Sequence, residues 1–164
     1  PRPGRGRREA SAWSFHNLLD RIGKATQILG AVDFRHTVEC ALAELRQREG
    51  EEAADAYAEV IERMADLAAY MGKIAEERPE LELLAPVVFN CVCFRLKHLD
   101  DRGNQKALKR LVENGTAFLG PASVKGRSGI RACFMNLRTT HADVDGIIAD
   151  SAELARQERA CASA

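Results

Sequence analysis

Ile130-Arg-Ala-Cys-Phe-Met-Asn-Leu-Arg-Thr-Thr-His-Ala-Asp-Val-Asp145 changes character halfway along. From Ile130 to Met135 it is apolar apart from Arg131 and reads as a strand. In its second half Thr140 stands three residues before Asp143, a variant of the capping box that opens a helix. Asp143 and Asp145 suit the positive end of that helix dipole. Beyond them Val144, Ile147, Ile148, Leu154 and Ala155 recur on one apolar face.

The same alternation of periods extends upstream. Leu81 to Leu84 and Val87 to Leu96 are short β-type runs separated by Ala85-Pro86. Both faces of the second run are largely apolar, which predicts a central strand with helices over at least one side. Asn104 to Asn114 has the spacing of a helix that buries Leu108, Leu111 and Val112, with Gly115 as its stop. Ala117 to Val124 and Ser128 to Leu137 are predicted strands around a hairpin turn at Lys125-Gly126-Arg127.

Before the sheet, Val38 to Arg48 has helical spacing and closes on Gly50. Tyr57, Val60, Ile61, Met64, Leu67, Ala68, Met71 and Ile74 then form a continuous stripe on a long helix over 51–77, stopped by Pro79. The order is helix, strand, strand, helix, strand, strand, helix. It predicts an α+β fold: a small antiparallel-type sheet of about four strands packed by helices and preceded by a long amphipathic helix.

Composition narrows the function classes. Lys+Arg and Asp+Glu are both 24 in 164 residues, so the net charge favours neither nucleic acid nor an anionic membrane as partner. Residues 1–10 carry Arg2, Arg5, Arg7 and Arg8 without interleaved aromatics, the pattern of a disordered solvated tail. Ser11 to Gly30 reads as a short helix and a loop. No stretch approaches the roughly 18–20 apolar residues of a membrane span. The five cysteines are odd in number and lie mostly in apolar runs, which fits a reducing cytoplasm better than a disulfide framework.

Few residues carry chemistry. Arg131, expected near the start of a central strand, is costly to bury unless its fork meets an anion. A guanidinium binds a carboxylate through two parallel hydrogen bonds, which suits orienting an amino acid. An ion pair within the chain, or a strand-end arginine in water, are the alternatives. Cys91-x-Cys93 puts two thiols on one strand face, and both they and Cys133 are expected in the core rather than in a metal site or as nucleophiles. His16, His36, His98 and His141 have no ligand spacing, and the Gly126–Gly129 loop reads as a turn rather than a phosphate cradle.

Taken with Pro79-Glu-Leu-Glu-Leu-Leu-Ala-Pro86 and Asn90-Cys-Val-Cys-Phe-Arg95, the opening run resembles a known module. It is the C-terminal small domain of the group II pyridoxal-phosphate-dependent decarboxylases of fold type I, which act on aromatic amino acids, histidine or glutamate. The family pattern Arg-x-x-x-x-Asn…Thr-His-x-Asp-Ile-Asp is matched by Arg131, Asn136, Thr140, His141, Asp143 and Asp145, with Val144 for Ile. The resemblance implies that Arg131 binds the substrate α-carboxylate in the intact enzyme, while the other matched positions are architectural. It covers roughly residues 57–158. A looser likeness reaches Ala41, where Ala41–Gly50 is similar to the family's Leu-Trp-x-x-Leu-Arg-x-x-Gly but lacks the tryptophan.

The family's Schiff-base lysine follows a histidine in Asp-x-His-Lys. None of Lys24, Lys73, Lys97, Lys106, Lys109 and Lys125 does so. The resemblance therefore implies pyridoxal phosphate and an amino-acid substrate in an intact homodimeric enzyme, no covalent cofactor on this chain, and no catalysis by it alone. The chain begins Pro-Arg-Pro-Gly without Met, as a fragment would. The expected division is a tail and unassigned segment over 1–30, a helical segment over 31–78 leading from a large domain, the small domain over 79–158, and a tail over 159–164. The rival reading is a stand-alone α+β binding or regulatory domain without catalysis.

Overall fold

The computed structural model describes residues 31–162, so the expected basic tail and the segment from Ser11 to Gly30 lie outside the described residues. Two units are distinguished, one ending at Ile61 and one starting at Glu62. In the first, α1 (Ala31–Glu49) is followed after one residue by the start of α2 (Glu51–Glu76). Gly50 makes the break possible. Its φ of +97° is open to glycine at little cost, and its N–H donates to the Arg46 carbonyl at 3.1 Å. Arg46 also reaches across the break to Glu51 and Asp55, at 3.0 and 3.3 Å.

The second unit is a sheet with its helices. Within it the remaining turns of α2 bury Met64, Leu67, Ala68 and Met71 of the predicted stripe, with Ala75 buried in the last turn in place of the expected Ile74. The strands are β1 (Leu81–Leu83), β2 (Cys91–Leu96), β3 (Gly120–Val124) and β4 (Arg127–Cys133), in spatial order β1-β2-β4-β3 with antiparallel neighbours throughout. Helix α3 (Asp101–Glu113) packs on β4, and α4 (His141–Ala162) packs on β1 and β2. Between helices and sheet lie Val92, Phe94, Leu96, Ile130 and Ala132, with Leu111 from α3 and Val144, Ile147, Ile148, Leu154 and Ala155 from α4. The α+β architecture and the four strands are those expected.

The strand bounds differ from expectation in an informative way. Residues 87–90 are not a strand, because Val87 is used to pack on α2: a methyl group at Gly72 would fall 2.7 Å from its Cγ2. The hairpin is a two-residue turn, with Lys125 at φ 50° and Gly126 at φ 77°, and Arg127 already pairs with Val124. Two positive φ values make a turn whose twist matches the strands. As a result β4 starts at Arg127, and Arg131 is its fifth residue rather than one near its start. Gly129 permits a close approach on this strand, since a methyl group there would stand 2.4 Å from Leu84 Cδ1 and 2.6 Å from the Phe94 carbonyl oxygen.

Helix α3 also buries a different face from the one expected. Asn104, Ala107 and Leu111 are buried, while Leu108 and Val112 are half-exposed. Asn104 substitutes for apolar packing by joining the helix to the end of β2. Its Oδ1 accepts from the Leu96 N–H at 2.9 Å, and its Nδ2 donates to the carbonyls of Leu96, Leu99 and Asp100 at 3.3, 3.1 and 3.0 Å. Removing such a group strands buried backbone donors and acceptors. Asn104→Ala should therefore lower stability by about 3 kcal/mol, read as a reduced urea midpoint with an unchanged slope.

Candidate functional site

Where β3 begins and β4 ends, the chain forms a cleft of about 500 Å³ lined by Phe118, Gly120, Arg131, Cys133, Met135, Asn136 and Thr139 among others. Arg131 alternates in direction with Ile130 and Ala132, which are buried, so its own side chain is exposed. The expected burial cost is therefore not incurred. The guanidinium lies over the Gly120 backbone, where a methyl group would stand 3.4 Å from Nη2 and 3.6 Å from Nε. Among the described residues, no Asp or Glu lines the cleft. Phe118, 97 % exposed, and Met135, 56 % exposed, give the cleft an apolar lining beside the Arg131 guanidinium.

The residues after β4 hold this end of the strand in place. The Asn136 side chain accepts from the Arg138 N–H at 3.0 Å, the local turn bond expected of an asparagine beyond a strand. Thr140 and Asp143 form the expected reciprocal cap. The Asp143 carboxylate accepts from the Thr140 N–H and hydroxyl, both at 2.8 Å, and the Asp143 N–H donates to the Thr140 Oγ1 at 3.3 Å. These bonds hold the Asp143 carboxyl below its ordinary pKa. His141 is exposed, with its ring edge-on to Tyr70 at 4.5 Å, and the Tyr70 hydroxyl donates to Asp145 at 2.6 Å. Thr140, Asp143 and Asp145 thus each make a hydrogen bond within the fold, and Asn136 makes one while also lining the cleft.

Three thiols share the Arg131 side of the sheet, contrary to the core placement expected for them. Cys91 pairs directly with Cys133, and Cys93 with Arg131, so all four side chains point away from the helices. Cys133 is exposed, and Cys91 and Cys93 are half-exposed. The sequence spacing put Cys91 and Cys93 on one face, but the partner strand and its register are needed to add Cys133. The Cys91 and Cys133 sulfurs share a hydrogen bond at 3.6 Å. That bond, and then the Arg131 charge, lower Cys133 to about 6. The bond to Cys91, with Arg131 again assisting, lowers Cys93 to about 7. Cys91 is raised as the thiol that keeps its proton for its neighbours. Arg131, two residues before Cys133 on the same strand face, is thus the basic neighbour that the sequence reading overlooked for Cys133.

The thiolate is the form that reacts with an alkylating agent, so the rate rises with pH through the thiol pKa. Alkylation of Cys133 by iodoacetamide should have its midpoint at about pH 6, in place of roughly 8.5 for a free cysteine. Arg131→Gln should move that midpoint upward. The check is a peptide-resolved pH profile.

Pyridoxal phosphate requires a Schiff-base lysine. Among the described residues, the cleft offers Arg131, Asn136 and Thr139 as polar side chains and no lysine. These residues do not fit that group.

No protein-family model matches the chain, and no curated protein matches it. Solved structures do match. The glutamate decarboxylase domain of a diaminobutyrate-pyruvate transaminase and L-2,4-diaminobutyrate decarboxylase from Vibrio parahaemolyticus has a TM-score of 0.58 at 21 % identity, covering 71 % of this chain and 25 % of that one. The Oryza sativa TDC, solved with PLP and tryptamine, has a TM-score of 0.60 at 18 % identity, covering 72 % of this chain and 26 % of that one. Catharanthus roseus tryptophan decarboxylase, solved with L-tryptophan, has a TM-score of 0.58 at 22 % identity, covering 76 % and 26 %. The chain spans about a quarter of the length of each. The sequence resemblance to the group II decarboxylases is met by the fold: this chain has the architecture of one part of those enzymes.

Proposed function

We propose that this chain is the C-terminal small domain, residues 79–158 with the preceding helix, of a pyridoxal-phosphate-dependent amino-acid decarboxylase, and that Arg131 holds the substrate α-carboxylate. The observation that carries the reading is the exposed Arg131 in a cleft with no lining carboxylate among the described residues, within a fold shared with a quarter of several such decarboxylases.

An arginine in this setting has a defined task. Its fork can accept a carboxylate through two parallel hydrogen bonds and fix the orientation of the amino acid. Holding the substrate in the reactive geometry lowers the barrier without requiring the arginine to exchange a proton. The exposed Phe118 and Met135 beside it are apolar surface of the kind a second domain or a substrate side chain covers. The cofactor, its Schiff-base lysine and the acid that holds its ring nitrogen belong in this reading to a large domain outside the chain. Decarboxylation, a homodimeric assembly and a cytoplasmic setting follow from the same reading.

The coding sequence upstream of Pro1 tests it directly. An in-frame Asp-x-His-Lys supports the decarboxylase; a start codon immediately before Pro1 overturns it in favour of the stand-alone binding domain. In the polypeptide that unites both domains, Arg131→Met should lower kcat/KM for the amino acid by about a hundredfold, near 2.7 kcal/mol. The absorbance of the bound cofactor should stay unchanged, because the cofactor is held elsewhere. Unchanged kcat/KM would remove Arg131 from substrate binding.

A further inference from the structure

The thiol cluster has a geometry that carboxylate binding leaves unused. Beside the Cys91–Cys133 pair, the Phe134 N–H donates to the Asn90 carbonyl at 2.8 Å, so Asn90 and Phe134 are a hydrogen-bonded pair. Successive antiparallel pairs alternate in type, which makes Cys91 and Cys133 a non-hydrogen-bonded pair. Pairs of that type bring their Cα atoms to about 4.5 Å, within the roughly 4.4–6.8 Å that a disulfide spans. The sulfurs already stand 3.6 Å apart. Side-chain rotation, with no change of strand register, is enough to bring them to bonding distance. Cys133 is also exposed, and so open to a small reagent.

We propose that Cys91 and Cys133 form an oxidation site, joined by hydrogen peroxide into a reversible cross-strand disulfide. The Cys133 thiolate attacks one peroxide oxygen and the O–O bond breaks, giving a sulfenic acid and a hydroxide that leaves as water after taking a proton. The Cys91 sulfur then attacks the sulfenyl sulfur. An S–S bond forms, the S–O bond breaks, and the departing hydroxide takes the Cys91 proton. Two thiols lose two electrons in total, and hydrogen peroxide is reduced to two waters. A dithiol reverses the bond by exchange through a mixed disulfide.

Three features of the site favour this order of events. Arg131 and the Cys91 hydrogen bond hold Cys133 in its nucleophilic form near neutral pH. Cys91, the protonated neighbour, is the resolving thiol directly opposite. Cys133 is exposed while Cys91 is half-exposed, so a peroxide meets the Cys133 thiolate first. The proposal stands apart from the decarboxylase reading, since it needs neither substrate nor cofactor.

The test treats the purified chain with hydrogen peroxide at equimolar concentration and maps its peptides without reduction. The expected product has lost two free thiols and two hydrogens, carries a Cys91–Cys133 cross-link, and returns to the starting mass with dithiothreitol. The cross-link should survive Cys93→Ser. In Cys91→Ser it should vanish, leaving a Cys133 sulfenic acid that a cyclic 1,3-diketone traps. Cross-links running chiefly to Cys40, Cys93 or Cys161 would overturn the proposal. So would conversion of Cys133 to sulfinic acid without a cross-link in the unaltered chain, a result that needs no variant to fold.

Discussion

The antiparallel pairing of β2 with β4 is the constraint on which the rest of the second unit depends. Its register sets Val92 against Ala132 and Phe94 against Ile130, and so builds the apolar face that α3 and α4 cover. The same register sets Cys91 against Cys133 and Cys93 against Arg131 on the opposite face. A slip of one residue would exchange the two sets, burying a guanidinium and exposing Ile130. Core and candidate site are thus fixed by one choice of pairing, and neither can change without the other.

What holds that register is local chemistry at the strand ends. The Lys125-Gly126 turn admits two positive φ values and fixes Val124 against Arg127. Asn104 satisfies both backbone groups of Leu96 at the far end of β2, and the Thr140–Asp143 cap stops the chain after β4 from running on as a strand. On the outer face, Arg127 grips both carboxylate oxygens of Glu82 at 2.7 Å, tying β1 to β4. Each of these is a polar device at the margin of an apolar sheet. None of these devices uses Arg131 or the three thiols of that face.

Much of this was legible in the chain. Period changes at Pro79, Gly115 and Thr140 mark the real boundaries, and the capping pair was readable because its two partners are three residues apart. The apolar faces of α2 and α4 were readable for the same reason, since a helix places residues 3.6 apart on one side. Asn104 was not, because an amide at an apolar position looks like surface until Leu96 is brought against it. Nor was the exposure of Cys91, Cys93 and Cys133: two-sided apolar patterning is the same whether helices cover both faces of a sheet or one.

The sequence by itself determined the elements, their order, the helix cap and the resemblance of Arg131 and its neighbours to a decarboxylase small domain, because these rest on local spacing and residue type. Tertiary structure decided which face of the sheet meets water. It therefore decided that Arg131 is an exposed cation rather than a buried one, and that Cys133 stands opposite Cys91. The physical reason is that strand alternation sorts side chains into two sets, and only pairing with a partner strand and packing against helices assign a set to the core.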